Sequence, residues 1–271
     1  MSNKSQSSDT VGAVERAVGV VEALKQLDGA GVTELSDHLG MSKSGVYKQL
    51  STLVEAGIVT KQGTEYRLSF RLLSLGEYVR TNSQLYNVAA EETDKIAEKS
   101  DHFAYLTAMD AKDCYCIHTA KGKNAVVPNL EVGNRIPFHH SAAGKAILSH
   151  LPKDRWEELM PTELTQMTEQ TITDPETLKQ ELATVREEGV AFERGESVPG
   201  MRGVGAPIVA EDQTVVGAVA ISGPVSLLQD MHFTEKIPSM ILQTKNFIEV
   251  KFSLESRDPL REGSHIPENF Y

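Results

Sequence analysis

Between Val14 and Ser69 the chain is cut by glycines into short pieces, and each piece carries its own apolar stripe. Val14, Ala17, Val18, Val21, Leu24 and Leu27 recur at helical spacing, which predicts a first helix ended by "DGAG" at Asp28–Gly31. Thr33 is expected to cap a second helix, Glu34–Leu39, which Gly40 stops. Ser42 is expected to cap a third, Lys43–Ala56, with Val46, Leu50, Leu53 and Val54 on its apolar side and Gly57 as its stop. "IVTK" and "EYRLS" follow as two strands joined by "QGT".

Three helices and a hairpin within the first 70 residues make a winged helix-turn-helix pattern, whose second turn-linked helix enters the DNA major groove. A small helical domain that binds nothing is the bland alternative. Burying Val46, Leu50 and Leu53 turns Ser44, Tyr47, Lys48 and Ser51 outward. Ser42, Lys43 and Ser44 lie at the helix start, where unpaired N–H groups favour phosphate. Lys48 and Tyr47 are placed to reach base edges or phosphates. In the wing, Lys61 and Arg67 are expected near the backbone of the duplex, unless Arg67 pairs with a surface carboxylate.

Net charge sharpens this. The chain carries -11, yet residues 1–80 hold nine Lys/Arg against nine Asp/Glu, so the deficit lies beyond them. A neutral DNA-binding unit implies modest non-specific affinity and reliance on the two half-sites of a dimer. Two modules with different surroundings fit 271 residues of 40% hydrophobic content. The first ten residues are polar, no stretch approaches a membrane span, and a cytoplasmic location is expected. The two cysteines, Cys114 and Cys116, are expected as free thiols.

Beyond an amphipathic connector over 71–83, a helix is expected at Leu85–Lys99. "FAYLTAMD", "CYCIHTA" and "NAVVPNLEVG" read as strands, then come helices at Ala142–Leu151 and Pro175–Glu188. Strands return at "GVAFERG", "GVGAPIV" and "VVGAVAISG", before a last helix over Thr234–Leu254. The absence of regular βαβ spacing predicts an α+β domain with an antiparallel sheet. Within "HHSAAGKAIL", Ser141 as cap leaves the N–H groups of Ala142, Ala143 and Gly144 at a helix start, a natural seat for a carboxylate. It is no P-loop, because His139 stands where the first glycine is needed. His139 and His140, or Cys114, Cys116 and His118 alternating on one strand face, invite a metal reading, but a full ligand set is missing and core packing is favoured.

Over roughly residues 11–254 the sequence resembles the IclR family of transcriptional regulators. The resemblance rests on "ERAVGVVEAL", "GVTELSDHLGMSKSGVYKQLSTLVEAGIV" and "YRLSFRLLSLG", then on "RIPFHHSAAGKAIL", "VREEGVAFERGE" and "GVGAPIVAEDQTVVGAVAISGP". It implies a winged helix-turn-helix domain (11–70), a linker helix (71–83) and a GAF-like, profilin-like effector domain (84–254), while the polar start (1–10) is expected to be disordered and the aperiodic end (255–271) to be a tail. It further implies a dimer or tetramer that reads a roughly palindromic duplex operator and senses a small keto, sugar or aromatic acid, with no cofactor and no catalytic residue. Glu193, Gly203, Ala220 and Ser222 are placed in the effector pocket by the resemblance, with Gly203 and Ala220 standing where relatives carry polar or sulfur-bearing side chains. That departure implies a roomier pocket. Glu193 either binds a ligand hydroxyl or pairs with Arg194 or Arg202. The alternatives are an enzyme using Cys116 or His140 on a carboxylic acid, and a ligand-independent architectural protein.

Overall fold

The computed structural model describes residues 11–160 and 163–256; the expected disordered start at 1–10 and residues 257–271 of the expected tail lie outside them. The chain divides into two units between Val79 and Arg80. In the first, α1 (Gly12–Gln26), α2 (Val32–Leu39) and α3 (Lys43–Glu55) precede an antiparallel hairpin of β1 (Val59–Gln62) and β2 (Glu65–Leu68). Val20, Leu24, Leu35, Val46 and Leu50 are essentially without exposure, and Val59 and Tyr66 close this core from the hairpin. At roughly 1.5–3 kcal/mol for each fully buried aliphatic side chain, these five outweigh any single cap or surface ion pair.

Three local expectations are corrected here. Thr33 is not the cap of α2: the helix starts at Val32, two residues earlier than expected, with Gly31 at the cap position and no side-chain bond. The reason is that Ala30 bridges Tyr66 of the hairpin, so the chain is fixed there and Leu35 N–H closes the first turn on Gly31. In α1 the buried face is Val20, Ala23 and Leu24, which leaves Val14 and Val18 exposed. Val54 of α3 is likewise exposed. Both helices carry more apolar side chains than one contact stripe can cover.

α4 (Arg71–Thr81) buries none of its residues. Its start is tied to the end of α3, because Arg71 Nη1 donates to the Ala56 carbonyl at 2.7 Å and the Ser69 hydroxyl to the Gly57 carbonyl at 2.6 Å.

The second unit holds α5 (Gln84–Ser100), β3 (Phe103–Asp110), β4 (Asp113–Lys121), α6 (Ala142–His150), α7 (Lys153–Leu159), α8 (Pro175–Glu188), β5 (Ala191–Glu193), β6 (Met201–Val209), β7 (Val215–Pro224) and α9 (Ile237–Ser256). The sheet runs β4-β3-β7-β6-β5, antiparallel throughout. Alternation sorts its side chains: Phe103, Tyr105, Ala218 and Ala220 face α6 and α8, while Ala104, Leu106, Val219 and Ile221 face α5 and α9. A Cβ at Gly205 would lie 2.9 Å from the Ala142 backbone, so glycine there lets the start of α6 settle on the sheet. No helix among the described residues is long and apolar enough to cross a membrane.

"NAVVPNLEVG" is not a strand. Asn124 is held by both carboxylate oxygens of Asp101, Gly133 turns at φ +86°, and the segment makes no ladder. α7 was not anticipated, and the last helix begins at Ile237 after a single π-helical turn at His232–Lys236. Cys114, Cys116 and His118 do not share a face. A bulge shifts the β3–β4 register so that both thiols enter the α6-side core, while His118 Nε2 meets Asp94 of α5 at 2.9 Å.

Candidate DNA-binding face and ligand cavity

α3 starts where the Ser42 hydroxyl accepts the Gly45 N–H at 3.2 Å, as expected of a cap. With Val46 and Leu50 inward, Lys43, Ser44, Tyr47, Lys48 and Ser51 are all exposed. Neither Lys43 nor Lys48 pairs with a carboxylate among the described residues. The Ser51 hydroxyl donates to the Tyr47 carbonyl at 2.9 Å, so it presents lone pairs rather than a proton outward. In the hairpin, Lys61 Nζ lies 5.4 Å from the Tyr66 ring centre. Arg67 pairs with Glu65 at 3.4 Å and Asp28 at 3.7 Å, one of the two readings the sequence left open. Exposed pairs of this kind are worth about 0.2–1 kcal/mol, so a phosphate can compete for the guanidinium.

A cavity of about 470 Å³ opens in the second unit beside the start of α6. Glu193, Gly203 and Ser222 form one row across β5, β6 and β7, since Glu193 faces Gly203 and Gly203 faces Ser222 in register. These three, with Ser141 and Ala142, lie on the cavity wall. Ala143, Gly144 and Ala220 do not: Ala143 and Ala220 pack in the core, and a Cβ at Gly144 would stand 2.2 Å from the Pro137 carbonyl. The sequence motif at "SAAGK" thus joins two functions that the fold separates. The expected extra room is small: a Cβ at Gly203 would already stand 3.3 Å from the Ile221 carbonyl and 3.4 Å from Ala142 Cβ, and Ala220 does not line the cavity.

The expected carboxylate seat is also narrower. Ser141 is a cap, accepting the Gly144 N–H at 3.0 Å and donating to the Pro137 carbonyl at 2.6 Å. The Gly144 N–H is thereby taken and Ala143 packs in the core, so of the three residues only Ala142 lies on the cavity wall with its N–H unclaimed among the described residues.

Local sequence reading missed Tyr105, Ser197, Lys145 and Glu196. Tyr105, buried on β3, reaches the cavity, and burial pushes its hydroxyl pKa upward, so it stays a donor. Ser197 couples to His140, a pair 57 residues apart. Lys145, completely buried, reaches Glu196 at 2.7 Å and Glu181 at 3.3 Å. Glu193 pairs with neither Arg194 nor Arg202; its Oε1 accepts the backbone N–H groups of Glu196 and Ser197. Burial raises its pKa to about 6 despite those bonds. His139 Nε2 contacts the Thr165 carbonyl at 3.0 Å, and burial raises both cysteine thiols to about 12, which leaves no thiolate nucleophile at neutral pH.

Both units match known proteins. The profile described as the IclR helix-turn-helix domain covers residues 13–63, and the one described as the bacterial transcriptional regulator IclR C-terminal domain covers residues 78–248. The chain belongs to the IclR family. It is 32% identical over 244 residues to a probable HTH-type transcriptional regulator, ArcR, of Halobacterium salinarum, a match spanning 88% of this chain and 92% of that protein. To the regulator KdgR of Escherichia coli it is 28% identical, over 84% of this chain and 88% of that protein. An IclR homologue from Microbacterium hydrocarbonoxydans, solved with 4-hydroxybenzoate, has the same fold with a TM-score of 0.76 at 22% identity, covering 89% of this chain and 98% of its own. As an IclR-type transcriptional regulator the chain pairs a helix-turn-helix unit with an effector domain, and α3 and the cavity fall one in each.

Proposed function

We propose that this chain is a homodimeric or tetrameric repressor or activator whose operator affinity is set by a small organic acid bound in the second unit. The observation that carries the reading is the cavity beside the start of α6, where the Ala142 N–H, the Tyr105 hydroxyl and Ser222 supply donors to a carboxylate. The 4-hydroxybenzoate held by the Microbacterium homologue is an acid that such a volume accommodates. The DNA face is Ser42, Lys43, Ser44, Tyr47, Lys48 and Ser51 of α3, with Lys61 and Arg67 in the wing. Self-association is supported by exposed apolar side chains in the first unit: Val11, Val14 and Val18 on or before α1, and Phe70, Leu73 and Tyr78 in and before α4.

Coupling requires that the acid bind one arrangement of the protein better than the other. Titrating keto, sugar and aromatic acids into a complex of the full chain with its operator, followed by fluorescence anisotropy, tests the reading. An acid that binds the protein and shifts the DNA midpoint supports it. Binding without any shift refutes regulation by this cavity.

A further inference from the structure

The cavity offers hydrogen-bond acceptors as well as donors, and the two sets are separate. Ser197 Oγ lies 2.9 Å from His140 Nδ1 and its hydroxyl donates to the His140 carbonyl at 2.8 Å. A hydroxyl has one proton, and here the carbonyl holds it. Ser197 Oγ therefore accepts from Nδ1–H, which fixes the ring tautomer and leaves Nε2 as a lone pair. Burial first, and the charges of His139 and Lys145 next, hold the ring pKa down to about 4, so the imidazole is neutral and an acceptor at physiological pH.

Glu193 supplies the second acceptor. Its Oε1 is occupied by two backbone N–H groups, while Oε2 accepts no bond among the described residues. His140 and Glu193 are only 6% and 5% exposed. Yet neither His140 Nε2 nor Glu193 Oε2 is among the sealed side-chain atoms without a hydrogen-bond partner, which among the described residues are His102 Nδ1, Asp113 Oδ1 and Glu196 Oε2. Both side chains line the cavity, so the two free lone-pair sites open onto it.

We infer that the cavity selects acids that also carry a hydroxyl group, the carboxylate being taken by the donors at the start of α6 and the hydroxyl donating its one proton to His140 Nε2 or to Glu193 Oε2. This rests on the acid-binding reading above and narrows its ligand class. An acid without the hydroxyl displaces water from two acceptors and gives them nothing back, which is the situation in which a site built for a hydroxyl discriminates strongly. His140 is then a specificity-determining residue and Ser197 a positioning residue that acts through its tautomer.

Isothermal titration calorimetry on the full chain tests this with matched acids: 4-hydroxybenzoate against benzoate, mandelate against phenylacetate, and gluconate against hexanoate. In at least one pair the hydroxy acid is expected to bind about 10-fold tighter or more. His140→Leu is expected to erase that preference and Glu193→Gln to reduce it, with circular dichroism confirming that each variant is folded. The inference is overturned if wild-type protein binds both members of every pair equally, or if the preference survives both substitutions. Should no acid of any pair bind, the acid-binding reading fails and takes this inference with it.

Discussion

The Lys145 ammonium lies 2.7 Å from Glu196 Oε1 with no solvent exposure at all. The same Glu196 presents its backbone N–H to Glu193, so the buried ion pair anchors the turn that carries a cavity carboxylate. Removing the lysine leaves Glu196, whose Oε2 already lacks a partner, as an uncompensated buried charge. Lys145→Met is expected to destabilise the second unit by about 3–5 kcal/mol in urea unfolding. The double variant Lys145→Met, Glu196→Leu is expected to lose clearly less than the sum of the two single variants; strict additivity would show that the pair is not coupled.

Gly144 and Gly76 make opposite expectations for one chemical change. A Cβ at Gly144 meets the Pro137 carbonyl at 2.2 Å and the Phe138 Cα at 2.6 Å, both backbone atoms that cannot swing aside. Gly144→Ala is expected to cost about 1–3 kcal/mol or more and to disturb the segment bordering the cavity. At Gly76, in α4, nothing lies within 4 Å. Gly76→Ala is expected to stabilise that helix by about 0.5–1 kcal/mol. Thermal unfolding of both variants checks the pair.

What the sequence disclosed and what it hid divide along the distance between partners. The ends of α3 and α6 were legible because Ser42 and Ser141 act on N–H groups three residues away. The antiparallel α+β class was legible from strand-like segments interrupted by helices without regular βαβ spacing. "NAVVPNLEVG" looked like one more such segment, but a strand exists only with a partner, and a partner is a non-local fact. The bulge that separates Cys116 from His118 is equally a property of two strands rather than one. In the cavity, the family resemblance placed Glu193, Gly203 and Ser222, whereas the links between His140 and Ser197 and between Lys145 and Glu196, 57 and 51 residues apart, left no local pattern. The same resemblance grouped Ala220 with the cavity residues, whereas it packs in the core, because strand parity gives the face and not the depth along it.

His140 and Glu193 impose opposite pH dependences on stability. The histidine pKa falls from 6.5 unfolded to about 4 folded, so between these values the unfolded chain holds the extra proton and stability is lost as pH falls. Glu193 rises from 4.5 to about 6, so within that window the folded chain holds the extra proton and its contribution is lost as pH rises. The two oppose each other between pH 4.5 and 6. His102, His150 and His232 are also lowered, chiefly by burial, and side with His140. Net acid lability is expected below about pH 6.5. Urea unfolding at pH 7 and pH 5 should show a smaller acid loss in His140→Gln and a larger one in Glu193→Gln. Changes of the same sign in both variants would contradict the assignment.

Lys43 and Lys48 stand on the exposed side of α3, without carboxylate partners among the described residues, and we propose different DNA contacts for them. Lys43 is the first residue of the helix, beside the Ser42 cap, where the free N–H groups make a phosphate site. Lys48 is midway along the helix, next to the exposed Tyr47, where a side chain in the major groove reaches base edges. Lys43→Ala is therefore expected to weaken operator and random DNA alike and to reduce the slope of log affinity against log salt by about 1. Lys48→Ala is expected to cost about 1–3 kcal/mol on the operator and far less on random DNA, with the ratio of the two affinities falling accordingly. Anisotropy titrations of both variants at several salt concentrations separate the roles. If Lys48→Ala weakened both DNAs equally, this lysine would be a phosphate contact, and the reading of sequence would fall to Tyr47 and Ser44.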